Sequence, residues 1–489
     1  MLTWSIYILT ALHFAALAGL SLYGLHRLWI LACWVIERKK PAPPPPPPLP
    51  SAESLPFVTV QLPLYNERFV AARLLDAVAR VEWPKEKLEI QVLDDSTDDT
   101  CEIVDERFSY WRARGVGIRV IRRGRREGYK AGALQNGLAQ ASGEYIAIFD
   151  ADFVPPADFL LRTIPCFHDE KTGMVQARWG FLNADYSWFS GIQSLLLGPH
   201  FSIEHWVRFR RGLFFNFNGT AGVWRKKAIE SAGGWQSDTV TEDLDLSYRA
   251  QLAGWRFVYL EELAVPSELP VTLASFRSQQ KRWAKGSVQT AKKILPGLLA
   301  SSLPFSVKVE ATAHLLANFG WLFGALVALT VYPAIMWRVG IGPYELLRID
   351  LPLLICTSVA ILVYFFCYAL SNKSRTRFPH LMLLPILSVG MAPCLALSVL
   401  KGVFSRGGNF ERTPKFGLHG HDRLPRLASI YRQQRVAYLA LNTALAAYSL
   451  MPLAFAWQRE TWLALPLLLL FPLGFSTVLI KDLKDGWTK

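Results

Sequence analysis

Tyr145-Ile146-Ala147-Ile148-Phe149-Asp150-Ala151-Asp152 is the stretch that decides how this chain folds. Five apolar residues in a row, too few for a helix, read as a β-strand buried on both faces. Strands of that kind belong to mostly parallel sheets with helices on either side. The run stops at two carboxylates one residue apart. In open α/β sheets ligands bind beyond the carboxyl ends of the strands, so the pair stands where a site is expected. Asp150 and Asp152 bring two hard oxygen ligands within reach of one divalent cation. Mg²⁺ or Mn²⁺ takes one or two carboxylates and completes its shell with diphosphate oxygens and water.

Upstream, the same unit recurs. Phe57–Leu62 reads as a strand and Glu67–Val81 as a helix. Glu89–Leu93 reads as a strand ending in Asp94-Asp95, Ile118–Ile121 as another strand, and Ala131–Ala141 as a helix. Strands alternating with helices give an α/β domain. Asp94 and Asp95, at a second strand end, can accept from the N–H of a base or from a sugar hydroxyl. Ser96, Thr97 and Asp98 suit a helix cap equally well. Arg122 to Lys130 (RRGRREGYK) opens the following helix, where basic side chains suit a phosphate or nucleotide. For the arginines a solvated basic turn competes; Lys130, at the helix start, reads as functional. Thr241-Glu242-Asp243 opens a later helix. An attacking hydroxyl needs a base for its proton; a capped helix start with first-turn acids is the alternative.

The chain has 489 residues, 51% of them hydrophobic and only 19% charged, with a net charge of +14. That excludes a disordered chain, and the apolar excess sits in runs near bilayer length. In such a protein a basic excess reflects cytoplasmic loops rather than nucleic-acid binding. Six cysteines without a CxxC pair give neither a disulfide framework nor a zinc site. Residues 3–36 read as an uncleaved transmembrane helix. Glu37-Arg38-Lys39-Lys40 follows and places residue 40 onward in the cytoplasm. Pro41–Pro50 favours polyproline II and reads as a semi-rigid spacer, with an SH3-type ligand as the rival.

Apolar spans return near 309–336, 350–371, 434–455 and 460–480. The stretch 380–401 lies between two basic loops, 371–379 and 402–435, that both belong in the cytoplasm. Pro385, Gly390 and Pro393 interrupt it. It reads as interfacial or re-entrant, leaving five true spans; a sixth span is the simpler alternative. The expected organisation is a transmembrane helix at 1–36, a Pro-rich linker at 37–56, a cytosolic domain with interfacial helices at 57–295, and a membrane bundle at 296–489 holding the interfacial segment 380–401 and a mobile loop at 402–417.

Two motifs remain. Gln279-Gln280-Lys281-Arg282-Trp283 offers a flat indole for a sugar ring and an arginine for phosphate, or else an interfacial helix at headgroup level. Phe410-Glu411-Arg412-Thr413-Pro414-Lys415, approached through Gly407-Gly408, fits a lid or a basic membrane-surface patch.

In order, QLPLYNE, VLDDSTDDT, GYKAGAL, IFDADF, FNGTAG, TEDLDL, QQKRW and FERTPK resemble family 2 glycosyltransferases of the cellulose synthase superfamily, nearest to the plant cellulose-synthase-like A and C pattern. The resemblance implies a GT-A fold, Rossmann-like with a mostly parallel sheet, inserted in a bundle of about five membrane spans. It places Mg²⁺ or Mn²⁺ at Asp150 and Asp152, and the base of the nucleotide at Asp94 or Asp95. Lys130 and Asp150 fall on the donor, and Asp243 is the general base with Glu242 beside it. Gln279, Arg282 and Trp283 serve acceptor and diphosphate, and Phe217-Asn218-Gly219-Thr220 the acceptor side. Thr413 and Lys415 belong to a gating loop over the nucleotide, with Arg412 where bacterial cellulose synthases carry valine. Only Lys481–Lys489 follow the last expected span, which leaves no room for a PilZ-type module.

The implied activity is inverting, processive transfer from UDP-glucose or GDP-mannose to a growing β-glucan or β-mannan that is exported through the bilayer, with a bacterial inner membrane as the setting and the catalytic domain in the cytoplasm. Transfer of one sugar to a membrane lipid, as in ceramide or polyprenyl-phosphate glucosyltransferases, is the alternative. A catalytically dead channel or scaffold would show eroded acidic motifs, and all four stand.

Overall fold

The computed structural model describes residues 2–338, 343–372, 378–408, 412–418 and 432–487. Seven strands form one sheet: β1 (Val58–Leu64), β2 (Leu88–Asp94), β3 (Ile118–Ile121), β4 (Tyr145–Ile148), β5 (Thr172–Phe181), β6 (Gly222–Arg225) and β7 (Arg256–Ser267). Their order is β3-β2-β1-β4-β6-β5-β7. β3, β2, β1 and β4 run parallel, β6 is antiparallel to both neighbours, and β7 is parallel to β5. The sheet is thus mixed and mostly parallel, as the GT-A expectation requires.

Register explains why the strand-end acids meet. Leu64 pairs with Asp94, and Gln61 with Ile148. The carboxyl ends of β1, β2 and β4 therefore fall side by side on one edge. β4 buries both faces: Ala147 and Phe149 join the cluster holding Val60, Leu62 and Val223, while Ile146 and Ile148 join Leu134, Leu138, Met174 and Trp224 on the other side. Trimming Ile148 to alanine in such packing costs roughly 2–5 kcal/mol.

Several element boundaries differ from the sequence reading. The helix expected at 67–81 is Ala71–Val78, because Glu67 to Val70 forms a turn in which the Glu67 carbonyl accepts from the amides of Val70 and Ala71. The span expected at 309–336 is two helices, Phe305–Leu316 and Phe319–Arg338. At twelve residues the first is too short to cross a bilayer, and it carries buried Glu310 into an ion cluster. The last span runs Leu465–Trp487, several residues later than expected. The segment read as broken at Pro385, Gly390 and Pro393 is one continuous helix, Phe378–Phe404.

Among the described residues six helices are long and apolar enough to cross a membrane, one more than the five spans expected; the additional one is Phe378–Phe404. Its two ends pack on elements of the catalytic side. His380 lies against Gly191 in the helix Trp188–Pro199, and Ser405, just past its end, bonds to Gln289 of the helix Leu273–Ala300.

Buried charge ties the N-terminal helix Leu2–Glu37 to the catalytic domain. Arg208 reaches Glu310 at 2.9 Å and Glu204 at 3.3 Å. Glu204 also pairs with Arg27 and accepts from the Tyr364 hydroxyl at 3.0 Å, and His26 meets Glu310 at 2.8 Å. Charges out of water persist only when paired and hydrogen-bonded, so this cluster fixes how the anchor meets the domain.

Candidate functional site

A cavity opens at the carboxyl edge of β1, β2 and β4, with about 1100 Å³ of empty space counted out into open solvent. Asp95, Lys130, Asp150, Asp152, Asn218, Gly219, Glu242, Asp243, Gln279, Arg282, Trp283, Thr413 and Lys415 all line it. Residues separated by more than three hundred positions share one wall.

Three expected site residues stand elsewhere. Phe217 is fully buried and packs its ring on Trp224. Asp94 is held beneath the surface by the Ser96 amide at 3.0 Å and Arg122 at 2.9 Å. Thr220 is buried and accepts from the Asp150 amide at 2.8 Å, so it sets the backbone of the acidic motif. Phe410 and Glu411 of the lid motif lie outside the described residues.

Each acid of the Asp150/Asp152 pair carries an ammonium partner. Lys130 Nζ is 2.5 Å from Asp150 Oδ1 and donates to the Gly219 carbonyl at 2.8 Å. Lys415 Nζ is 2.6 Å from Asp152 Oδ2 and donates to the Glu268 carbonyl at 2.9 Å. The lid is held further by Glu268, whose carboxylate accepts from the amides of Phe416 and Gly417 at 2.9 Å each, and by Arg412 on Glu67 at 3.0 and 3.2 Å. The described residues hold no cluster of three or more His, Cys, Asp or Glu side chains around one point. Two hard carboxylates suit a divalent ion that would draw its other ligands from a bound diphosphate and water, in competition with the two ammonium groups.

The base expected from the sequence sits at a helix start. Glu242–Leu252 begins directly after Thr241, and Asp243 accepts from the Leu244 amide at 2.8 Å. Burial raises the Glu242 carboxyl to about 7, with neighbouring Asp243 adding to the rise. Burial raises Asp243 as well, against the pull of Lys130. Gly219 makes room for it: a Cβ there would stand 2.8 Å from Asp243 Oδ2, and its φ of +80° is one that only glycine adopts without strain. Gln279, Arg282 and Trp283 recur at i, i+3 and i+4 of the helix Leu273–Ala300 and so share its cavity face. Asn218 has its carboxamide fixed by His200 at 3.1 Å, Asn216 at 2.9 Å and His205 at 2.9 Å.

Sequence reasoning assigned no role to Tyr65, Glu67, Trp179, Phe181 or Glu268, which also line the cavity. The motif Tyr65-Asn66-Glu67 directly after a strand was the available signal for two of them. Backbone strain was not legible: Asn66 (φ 57°), Tyr129 (φ 50°) and Ala221 (φ 54°) are left-handed non-glycines beside three of the motifs. Such strain persists only where surrounding structure fixes it, and it gathers at functional sites.

A sheet of this order with paired acids at its carboxyl edge defines a GT-A glycosyltransferase domain. Residues 56–286 match the family described as Glycosyltransferase like family 2. The chain is 46% identical over 269 residues to glucomannan 4-beta-mannosyltransferase 9 of Arabidopsis thaliana, covering 54% of this chain and 50% of that protein. With glucomannan 4-beta-mannosyltransferase 1 of Oryza sativa subsp. japonica the identity is 44% over 271 residues, covering 54% and 51%. The chain thus spans about half the length of the plant relatives it matches. A mannosyltransferase from Pyrobaculum calidifontis, solved with GDP-Man and Mn²⁺, shares the fold at a TM-score of 0.53 and 19% identity over 80% of this chain and 99% of that one.

Proposed function

We propose that this protein is a membrane-embedded, inverting, processive glycosyltransferase that uses GDP-mannose to elongate and export a β-linked mannan or glucomannan. The observation that carries it is the common cavity. The donor-side acids Asp95, Asp150 and Asp152, the carboxylates Glu242 and Asp243, and the acceptor-side Gln279, Arg282 and Trp283 line one space. The mannosyltransferase names of its relatives favour GDP-mannose over UDP-glucose.

In this reading the acceptor hydroxyl oxygen attacks the anomeric carbon of mannose as its bond to the diphosphate oxygen breaks. GDP leaves with that electron pair, and the configuration inverts from α to β. Asp243 takes the hydroxyl proton. Lys130 and Arg282 bring positive charge to the departing diphosphate, and Trp283 stacks the acceptor ring. A divalent cation held by Asp150 and Asp152 would neutralise diphosphate charge. The lid residues Thr413 and Lys415 exclude water from the donor.

Purified full-length protein incubated with labelled GDP-mannose and Mn²⁺ should give a high-mass β-linked product. Lipid-extractable monosaccharide alone, or incorporation from UDP-glucose only, overturns the proposal.

A further inference from the structure

Tyr65 follows β1, and Arg126 lies in the strained turn before the helix Tyr129–Gln140. Their side chains meet in the cavity wall beside Asp95. Arg126 Cζ stands 3.4 Å above the centre of the Tyr65 ring, a separation reached only when the guanidinium lies flat on it. Its Nε is buried and without a hydrogen-bond partner. Among the described residues no acid pairs with it: Asp95 is taken by Arg123, Nε to Oδ1 at 3.0 Å. A guanidinium brings five donors and no acceptor. The side chain is only half-buried and lines the cavity, so its terminal N–H groups are free to meet a bound acceptor.

The shape of the donor set selects the acceptor. A guanidinium stacked on a tyrosine presents its N–H groups edge-on, in a plane parallel to the ring. A flat ligand lying in that plane is met best by two acceptors side by side. Guanine offers them at O6 and N7, the edge that arginine binds bidentately. Adenine puts an amino donor beside N7, and uracil has a C–H beside O4.

We propose that Arg126, stacked on Tyr65, reads the nucleobase and selects guanine over uracil donors. This deepens the nucleotide-sugar reading of the cavity and rests on it.

The test is equilibrium binding of GDP, UDP and 7-deaza-GDP, which lacks N7, to full-length protein in detergent with Mn²⁺. Wild type should bind GDP at least ~10-fold more tightly than UDP, and 7-deaza-GDP more weakly than GDP. Arg126→Met should bring GDP to within about threefold of UDP and erase the 7-deaza penalty, leaving UDP binding almost unchanged; Arg126→Lys should not restore the discrimination, since a lysine lacks the fork. A Met variant that keeps both the preference and the 7-deaza penalty overturns this inference alone. Wild type that prefers UDP overturns the donor assignment too. Should the variants not fold, equal affinity of wild type for GDP and 7-deaza-GDP overturns the inference by itself.

Discussion

Lys415 Nζ lies 2.6 Å from Asp152 Oδ2, joining two residues 263 positions apart. Through this contact the segment after the helix Phe378–Phe404 closes over the end of β4. With Lys130 on Asp150, both acids of the motif are held by ammonium groups. A divalent cation binding the same oxygens must compete with them. Lys415→Met should therefore let Mn²⁺ saturate at about tenfold lower concentration, the scale of one charge-assisted hydrogen bond, while turnover falls because the lid no longer docks. Titration of the Mn²⁺ spin-resonance signal beside a rate assay checks both halves; unchanged metal affinity counts against the competition.

Asp243→Asn should lower kcat by at least ~100-fold if this carboxylate takes the proton. Because burial raises Asp243 and lifts Glu242 to about 7, the pair is partly protonated in mild acid. With Asp243 as the base, wild-type activity should rise with pH above the ordinary carboxylate range, because burial holds that carboxyl up. In a Glu242→Gln variant that keeps Asp243, the rise should stay in place, since burial and not Glu242 lifts Asp243. A profile flat from pH 5.5 to 8 argues against both assignments. The stability effect has the opposite sign: a carboxyl with a raised folded pKa costs stability as pH climbs from 4.5 to about 7.

Gly219→Ala puts a methyl 2.8 Å from Asp243 Oδ2 at a φ of +80°. The left-handed backbone alone costs about 1–2 kcal/mol. Turnover should drop at least ~10-fold, the cost of displacing one positioned group by a fraction of an ångström, with nucleotide affinity nearly kept. A variant with normal kcat shows that Asp243 tolerates displacement.

Arg208→Met leaves Glu310 and Glu204 short of countercharge between the anchor helix and the domain. Breaking a buried pair on one side costs about 3–5 kcal/mol. The purified variant should unfold several degrees lower, read by thermal denaturation in detergent; an unchanged midpoint means that His26 and Arg27 carry the cluster unaided.

Both ends of the helix Phe378–Phe404 touch elements of the catalytic side. On the reading that it lies along the interface, a cysteine at the exposed Arg406, in a background without other cysteines, reacts with an impermeant maleimide only after the cell is opened. Efficient labelling of intact cells supports a sixth crossing instead.

Much of the architecture was written in local sequence. Runs such as Tyr145–Phe149 and Phe57–Leu62 are buried on both faces, and that pattern fixes strand type without reference to distant residues. Polar termination of each run put the acids at strand ends, and apolar length marked the membrane helices. What local pattern lacks is information on which residues meet. Phe217, and Asp94 as one of two candidates with Asp95, were read toward the ligand; both turn inward, because Trp224 and Arg122 take them, and Asp95 lines the cavity. Pro385 and Pro393 suggested a break, but packing on neighbouring helices keeps that helix whole. The antiparallel β6, the Lys415–Asp152 contact and the Arg126–Tyr65 stack each join segments far apart in sequence. Side-chain chemistry and period are set residue by residue and can be read from the chain; partners across long loops are chosen by register and close packing, which exist only once the whole sheet and bundle have assembled.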